Sequence, residues 1–490
     1  MNLHRDILRL AVPSILANIT VPLVGMVDIA VAGHLGASGG LGAAALIGGI
    51  SIGTMLFDML YWNFGFLRGG TGGLAAQAYG RLRGLCPLLS PAAFGRAPDG
   101  AWITHRTEAI ETACRDITVI LKRALGIAFG SGLVLIALQW VVVQVAFLLV
   151  ECSPEVQTLA TQYFYIRIWA APATLSLFAF KGWFIGMQDT VRPMTSDLIV
   201  NFTNILLSVG LAFGYAGLPA LGFAGVAYGT LIAQWTGFAY AALAVWSRYG
   251  RLFREARDSF ASLGMTEGTG NGSWRAFFVL NRDLFIRSMC MIAVYIGFTM
   301  ISARYGDMML AVGAILMKLL MIFSYFTDGF AYAGEALTGR FIGEGSPEGV
   351  RTTVRQTFVW SIGVTFLFFL VYGVGGVPLL KLMTSDPDVV ESAREFIPWL
   401  LLMPVIGCPA FTWDGIFTGA TASKDLRNST AWCVLGFFGV WFIGIGLAKA
   451  LLGTVSETLA IHILMAAYFT HLAVRALYLT LRARKAIPGV

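Results

Sequence analysis

Asp28 is the residue whose type and position in this sequence most clearly indicate chemistry. It lies inside the apolar run 15–32, ILANITVPLVGMVDIAVA. A charged side chain at the centre of a bilayer costs about 2.5–3.5 kcal/mol in insertion experiments, and such groups usually face a cavity, an ion path or a partner. Asp28 could bind a proton or cation, or could pair with a buried Arg or Lys. We favour the first role, because intramembrane carboxylates are usually functional.

Other polar side chains also interrupt apolar runs. Asn201 and Asn204 could line a cavity or join helices through hydrogen bonds. Asp58 could supply a second carboxylate to a proton or cation site. The remaining polar residues in or near apolar runs are candidates for a substrate cavity, namely Asn63, Arg68, Lys318, Asp328, Glu335 and Asp414.

Two of these candidates are related by their spacing. Asp328 and Glu335 are seven residues apart and therefore share a helical face, so their like charges favour a shared proton or a nearby cation. The second half contains four charged candidates, and some of them are expected to neutralise one another: Lys318, Asp328, Glu335 and Asp414. Arg68 is a candidate partner for a carboxylate on another helix, with a purely structural ion pair as the alternative.

The sequence lacks the motifs that are typical of ATPases and metalloenzymes. It contains no Gly-Lys dipeptide, so the phosphate-binding loop of ATPases is absent. No HExxH motif occurs, and the five histidines and six cysteines lack metal-ligand spacing. We therefore expect neither an enzyme nor a bound metal, and we assign the cysteines no disulfide.

The composition predicts an all-α polytopic membrane protein. Of its 490 residues, 57% are hydrophobic and 12% charged, whereas a soluble domain carries about a quarter charged residues. Apolar runs long enough to cross about 30 Å of hydrocarbon recur along the whole chain. We predict twelve transmembrane helices, at 11–33, 46–79, 117–150, 157–186, 193–215, 220–247, 283–303, 308–342, 356–381, 394–419, 430–452 and 455–480.

The basic charge of the chain follows from its predicted topology. The formal net charge is +7, and most of the 34 Lys and Arg fall on one side of the predicted membrane. An excess of Lys and Arg is typical of the cytoplasmic side, so we place both termini there. No nucleic-acid partner is needed to explain the charge.

A polar, glycine-bearing segment divides the chain into two halves of six spans. We predict an N-terminal lobe at 1–250, a cytoplasmic linker at 251–280 and a C-terminal lobe at 281–490. An even number of spans returns each half to the same side, so an internal repeat must be parallel. The motif Phe-x-Gly at 184–186 recurs at 417–419.

Two further features bear on the repeat and on the loops. Matching Gly36 with Gly306 puts Phe298 in the place of Asp28, which would confine the titratable site to the first half. The loop 84–108 carries three prolines and is longer than two antiparallel helices need. It could be a docking segment or a tolerated insertion.

The second predicted helix resembles a known family. Residues 66–80, FLRGGTGGLAAQAYG, are similar to the FLRxGTTGLxAQAxG segment of the DinF-like branch of the multidrug and toxic compound extrusion (MATE) family. Residues 27–36 resemble the VDxxxxGxLG stretch of the first helix, and 186–193 the GxQDTxxP loop. In the second half, 328–335 (DGFAYAGE) and 414–421 (DGIFTGAT) are similar to DinF-type stretches.

This resemblance implies a fold, an activity and roles for residues. The fold would have two six-helix lobes around a V-shaped cleft, and cation entry would drive drug exit. Asp28 matches the aspartate assigned to proton or sodium coupling, and Asn204 matches the asparagine of an NxxxD pattern. Ser208 stands where that pattern has its aspartate. Because a hydroxyl replaces a carboxylate there, a bound sodium ion would be less well neutralised. We therefore favour protons, with sodium bound at Asp28 and Asn204 as the alternative.

The resemblance also implies partners and a location. We expect a monomer in the cytoplasmic (inner) membrane that exports lipophilic or cationic organic compounds and uses no cofactor beyond the ion gradient. A flippase for a lipid-linked precursor is a second hypothesis, although its phosphate-bearing substrate would favour more interior basic residues than Arg68, Arg167 and Lys318. A channel is a third.

Overall fold

The fold is all-α throughout the part of the chain that the structure describes. This computed structural model describes residues 3–38, 42–86, 108–149, 152–263, 274–305, 307–383 and 387–490. Its helices are α1 (Leu3–Ser38), α2 (Ala43–Trp62), α3 (Gly65–Leu85), α4 (Glu108–Ala137), α5 (Gln139–Leu149), α6 (Pro154–Arg167), α7 (Ala171–Gly186), α8 (Val191–Phe213), α9 (Phe223–Leu263), α10 (Trp274–Ala303), α11 (Asp307–Gly343), α12 (Pro347–Met383), α13 (Pro387–Arg394), α14 (Ile397–Gly419), α15 (Ser423–Leu452) and α16 (Glu457–Ala486).

The predicted spans correspond closely to these helices. Eleven helical segments among the described residues are long and apolar enough to cross a membrane, against the twelve predicted. The remaining predicted span, 220–247, corresponds to the first part of the 41-residue helix α9, which begins at Phe223. Thr230, Gln234 and Thr236 lower the hydropathy of this stretch. The prediction of a polytopic α-helical protein is confirmed.

Three of the longer predicted spans are interrupted helices. The span 46–79 is divided between α2 and α3, and 117–150 between α4 and α5. In the third, a short 3₁₀ turn at Ile168–Ala170 separates α6 from α7, and Pro172 occupies the first turn of α7. Proline lacks the backbone N–H that would continue an α-helix through this point.

The described helices form two compact units. One comprises Leu16–Trp274, and the other comprises Met1–Ile15 with Arg275–Val490. The first has an aromatic core in which Trp183 contacts Tyr249 and donates to the Ile117 carbonyl at 3.1 Å. The second is built around α11, α14 and α16.

Two predicted connections fall partly or wholly outside the described residues. Most of the loop predicted at 84–108 lies there, as do residues 264–273 of the linker predicted at 251–280. The flanking parts of that linker are helical, because α9 continues to Leu263 and α10 begins at Trp274.

The same close helix contact occurs once in each unit. A Cβ atom on Gly182 of α7 would lie 2.1 Å from the Arg68 carbonyl oxygen of α3. In the second unit, a Cβ atom on Gly415 of α14 would lie 2.0 Å from the Ala331 carbonyl oxygen of α11. Another glycine follows each of these four residues later, which gives the small-xxx-small spacing that lets helix backbones approach closely.

The turn after each of these helices is also repeated. Gln188 (φ 59°) and Thr421 (φ 55°) both adopt the left-handed conformation. The N–H of the next residue bonds back to Phe184 at 2.9 Å and to Phe417 at 3.0 Å, respectively. These bonds are typical of the Schellman motif, which ends a helix by satisfying its last carbonyls. The recurrence of Phe-x-Gly thus marks a repeated structural element.

An aspartate follows each turn and binds an arginine of the last helix in its unit. Asp189 lies 3.2 Å from the Arg248 guanidinium of α9 and accepts a hydrogen bond from Tyr249 at 3.1 Å. Asp425 lies 2.8 Å from the Arg482 guanidinium of α16. The structural repeat therefore includes polar contacts as well as helix packing.

The close contact at Gly182 leads to a stability prediction. Gly182→Ala would place its methyl group against a helix backbone, and overpacking typically costs about 1–3 kcal/mol. We expect a lower melting temperature in detergent micelles, measured by intrinsic tryptophan fluorescence. Gly126→Ala is the matched control, since a Cβ atom at Gly126 in α4 meets nothing within 4 Å. Equal losses in the two variants would contradict this account of the contact.

Candidate functional site

Asp28 is buried within α1, although it carries an ionisable group. Its exposed fraction is 5%, and its Oδ1 atom has no hydrogen-bond partner among the residues that the structure describes. The Arg167 charge and the Ser208 hydroxyl are the groups that act on the carboxyl. A buried polar atom without a partner costs free energy that folding must offset elsewhere. An oxygen without a partner is chemically able to accept a proton or to bind a cation.

Arg167 is held at the C-terminal end of α6 by aromatic side chains. Its Nη1 atom donates to the Tyr163 hydroxyl at 3.0 Å, and its Cζ atom lies 4.7 Å from the centre of the Phe57 ring. Phe57 in turn stacks on Phe164 at 4.8 Å. A guanidinium over an aromatic face gains cation–π attraction. These contacts fix the position of the positive charge.

Helices α8 and α9 of the same unit contain buried amide and hydroxyl side chains. Asn204 Nδ2 donates to the Thr230 hydroxyl at 2.8 Å, whereas its buried Oδ1 lacks a partner within the described ranges. Ser208, one helical turn further on, is fully buried. Gly229 permits this packing, because a Cβ atom there would lie 2.7 Å from Ser208 Oγ. Asn204 and Ser208 thus present polar atoms on one face of α8.

Asn201 connects α8 to the helix that carries Asp28. Its Nδ2 atom donates to the Thr20 hydroxyl at 2.6 Å. This hydrogen bond joins two helices, which is one of the two roles predicted for the asparagines. Asn204 bonds instead to Thr230 of α9. The site in the first unit, which we call the Asp28 site, comprises Asp28, Arg167, Asn204 and Ser208.

The second unit contains a separate cluster of charges. Asp414 of α14 contacts both the Arg287 guanidinium of α10 and the Arg475 guanidinium of α16. Arg475 Nε donates to Asp414 Oδ1 at 3.0 Å, and the Arg475 side chain is 2% exposed. Asp414 thus compensates the half-buried Arg287 and the buried Arg475, and the charge of Asp328 also acts on Arg475.

The comparisons with known proteins identify this architecture. The MatE family model matches residues 113–209 and 284–443, one segment in each half of the chain. DNA damage-inducible protein F of Escherichia coli is 32% identical over 433 residues, which cover 88% of this chain and 83% of that protein. The chain belongs to the MatE family.

More distant MatE relatives and structures agree with this assignment. The probable multidrug resistance protein NorM of Thermotoga maritima is 21% identical over 59% of each chain. The Vibrio cholerae MATE transporter VcmN in its bent form aligns with a TM-score of 0.73 and 17% identity, covering 99% of this chain and 97% of that one. The structural match establishes the fold. This MatE protein is accordingly a multi-pass membrane transporter of the DinF-like branch.

The remaining predicted site residues of this MatE protein lie in varied environments. Asp58 is exposed on α2, and its charge acts on Arg167. Asn63 Nδ2 donates a hydrogen bond to the Met59 backbone carbonyl at 2.6 Å, so this side-chain amide bonds within its own helical segment. Arg68 is half-buried in α3, where its backbone packs against Gly182.

In the second unit the predicted residues lie on two helices. Lys318 is exposed on α11, Asp328 is half-buried, and Glu335 is fully buried. Asp414 is bound by arginines from two other helices. The arginines Arg287 and Arg475 were missed as site residues, although each is a charge inside a predicted span, which is the signal that could have found them.

Proposed function

We propose that this transporter exports lipophilic or cationic organic compounds in exchange for protons across the cytoplasmic membrane, with both termini in the cytoplasm. The observation that carries the proposal is the buried Asp28 carboxyl with its unpartnered Oδ1 atom. Such a carboxyl group can alternate between an ionised form, which attracts an organic cation, and a protonated form, which does not. The multidrug resistance name of the Thermotoga maritima relative supports the substrate class.

The composition of the site favours a proton over sodium. A sodium ion needs several oxygen ligands, and Asp28 Oδ1 and Asn204 Oδ1, which have no hydrogen-bond partner in the part of the chain that the structure describes, could serve. Ser208, however, brings no charge where the resemblance places an aspartate. A proton needs only one oxygen and forms a covalent bond with it, so it is the occupant that this site supports best.

Aromatic residues beside the site support the proposed substrate class. Phe57 and Tyr163 contact the Arg167 guanidinium, and Tyr61 packs against Phe57. The charges of Asp28 and Asp58 also act on Arg167. Flat organic cations bind such sites through ring faces and a nearby negative charge. Apolar parts of a drug would contact the same rings.

The proposed cycle couples the two ligands through one carboxyl group. A proton from the outer side neutralises Asp28 and weakens the binding of the organic cation, and loss of the proton to the inner side restores the site. Coupling of this kind is reciprocal, so the organic cation must also change proton affinity. Pro22 and Gly25 lie one to two turns before Asp28, and a Cβ atom on Gly25 meets nothing within 4 Å, which leaves space for α1 to bend.

The test uses wild-type protein in inside-out proteoliposomes loaded with an acidic buffer. We expect saturable uptake of a fluorescent lipophilic cation that stops when a protonophore collapses the gradient. Uptake driven instead by an imposed sodium gradient would overturn the choice of ion. Unsaturable flux without a gradient would indicate a channel. Movement of a lipid-linked phosphate without drug uptake would indicate a flippase.

A further inference from the structure

Five hydroxyl groups in the interior of the second unit have no hydrogen-bond partner among the residues that the structure describes. Their side chains are fully buried and lie on three helices that pack against one another, α11, α12 and α14; we call them the polar seam: Thr338, Thr353, Thr357, Ser361 and Thr412. A buried polar group without a partner costs free energy, and ordered water often supplies the missing bonds. Five such groups in one region therefore indicate a ligand.

Other hydroxyls on the same three helices are satisfied within their own helix. Thr327, Thr365 and Thr418 each donate to the carbonyl four residues earlier, at 3.1, 3.0 and 2.7 Å respectively. This is a common way for a Ser or Thr to be satisfied inside a helix. The hydroxyls of the polar seam make no such bond, so they are available to a group that lies between the helices.

The packing of α11 against α12 brings three of these hydroxyls together. A Cβ atom on Gly334 would lie 3.3 Å from Thr357 Cγ2, and a Cβ atom on Gly349 would contact the Phe341 ring. These two contacts define an antiparallel register between the helices. Midway between them, this register places two hydroxyl residues opposite each other, Thr338 and Thr353.

Helix α14 packs against the same face of α12. Ile416 lies beside Thr357, since a Cβ atom on Gly334 would be within 3.4 Å of both side chains. Further along α12, Thr365 donates to the Pro404 carbonyl at 3.2 Å. These two helices are therefore antiparallel as well. Their register brings the two remaining hydroxyl residues to the same level, Ser361 and Thr412.

The chemistry of the polar seam matches water. A hydroxyl group both donates and accepts hydrogen bonds, and water does the same. The five side chains carry no charge that would stabilise an ion. They follow α12 from Thr353 to Ser361, a rise of about 12 Å, which is long enough for several waters in a row. Gly334 also leaves a position beside Thr357 without a side chain.

We propose that the polar seam binds a short file of ordered water molecules between α11, α12 and α14. A buried water makes about three hydrogen bonds, so five hydroxyls can hold about two or three waters. The same waters would solvate the carboxyl of Glu335, which is fully buried one turn before Thr338 on α11. This site lies in the second unit and is independent of the proposed exchange at Asp28.

The test replaces one hydroxyl by a methyl group of the same shape. In a dry interface, Thr357→Val would remove an unsatisfied polar group, and the melting temperature would rise. If water is bound, the same substitution takes a partner from it. We then expect the melting temperature in detergent micelles to fall by about 2–4 °C, the shift that corresponds to one ordinary hydrogen bond. Ser361→Ala makes the same distinction if Thr357→Val does not fold.

A second variant fills the seam instead of removing a hydroxyl. Gly334→Ala would place a methyl group beside Thr357 and displace water there. The matched control is Gly436→Ala in the same unit, where a Cβ atom would lie 3.4 Å from Val474 and 3.6 Å from Thr470. The Thr470 hydroxyl already donates to a carbonyl of its own helix at 2.8 Å. We expect Gly334→Ala to melt at a lower temperature than this control.

A crystal structure of the full-length protein that shows ordered water gives the direct measurement. We expect density about 3 Å from the hydroxyls of the polar seam, and its loss beside Thr357 in Gly334→Ala. An empty seam, or an equal or higher melting temperature for Thr357→Val, would overturn the proposal. Melting in sodium, potassium and choline chloride should be the same. A rise specific to sodium or potassium that Thr357→Val abolishes would overturn water in favour of a metal cation.

Discussion

Asp28→Asn is expected to reduce proton-driven uptake of a lipophilic cation to the level of protein-free liposomes. Asparagine preserves the size of the side chain but cannot exchange a proton at physiological pH. The substitution also removes a buried charge without a direct ionic contact, so the protein should remain folded. The measurement is initial uptake into proteoliposomes with an acidic interior, with elution from a size-exclusion column as the check on folding.

A matched control removes a carboxylate elsewhere in the same unit. Glu155→Gln changes an exposed residue in the first turn of α6 and should retain wild-type uptake. Retention of pH-driven uptake by Asp28→Asn would show that another group carries the proton. Asp58, whose charge also acts on Arg167, would then be the next residue to substitute.

Asp414→Ala is expected to cause the largest loss of stability among substitutions in the second unit. Its removal would leave Arg287 and Arg475 without the carboxylate that they share. Breaking a buried ion pair from one side typically costs about 3–5 kcal/mol. We expect a large decrease in melting temperature in detergent micelles and a low yield of monodisperse protein.

The control for Asp414 is an exposed ion pair in the same unit. Glu391 and Arg394 lie 3.7 Å apart on α13, and their side chains are 76% and 62% exposed. Glu391→Ala should cost at most about 1 kcal/mol, because solvent screens such pairs. If the two losses were similar, the cluster around Asp414 would not be a stabilising element.

A charge-free replacement of the cluster tests its role from the other direction. The triple variant Arg287→Met, Asp414→Leu, Arg475→Met removes all three charges while keeping apolar volume. Replacing buried ion pairs by apolar residues is often neutral or stabilising. We therefore expect the triple variant to melt well above Asp414→Ala. Uptake by this variant would show whether the cluster does anything beyond supporting the fold.

The candidate site could be predicted in part, because a charge inside an apolar run is visible in the sequence. Asp28 and Asn204 were identified as polar side chains inside apolar runs. The structure places both in the same unit, each with a buried oxygen that has no hydrogen-bond partner among the described residues. The place of Arg167 was not visible, because it depends on α6 ending at that residue and on aromatic contacts from α2. Such contacts join distant parts of the chain and leave no periodic pattern.

The ion pairs of the second unit were missed for a similar reason. The sequence predicts that some of Lys318, Asp328, Glu335 and Asp414 neutralise one another. Asp414 instead binds arginines that are 127 and 61 residues away along the chain. The packing register between separate helices determines which arginines contact Asp414. The spacing of residues within one helix carries no information about that register. The repeat of Phe-x-Gly was predictable because a Schellman turn has a local sequence signature.

The repeated turns at Gln188 and Thr421 bear on the ancestry of the chain. A left-handed residue other than glycine costs about 1–2 kcal/mol, so its presence at both turns is more simply explained by inheritance than by two independent origins. The chain would then descend from a gene of half its length, duplicated in tandem. Because each half has an even number of predicted spans, both copies would insert in the same orientation, and a short connection on one side of the membrane would be enough to fuse them.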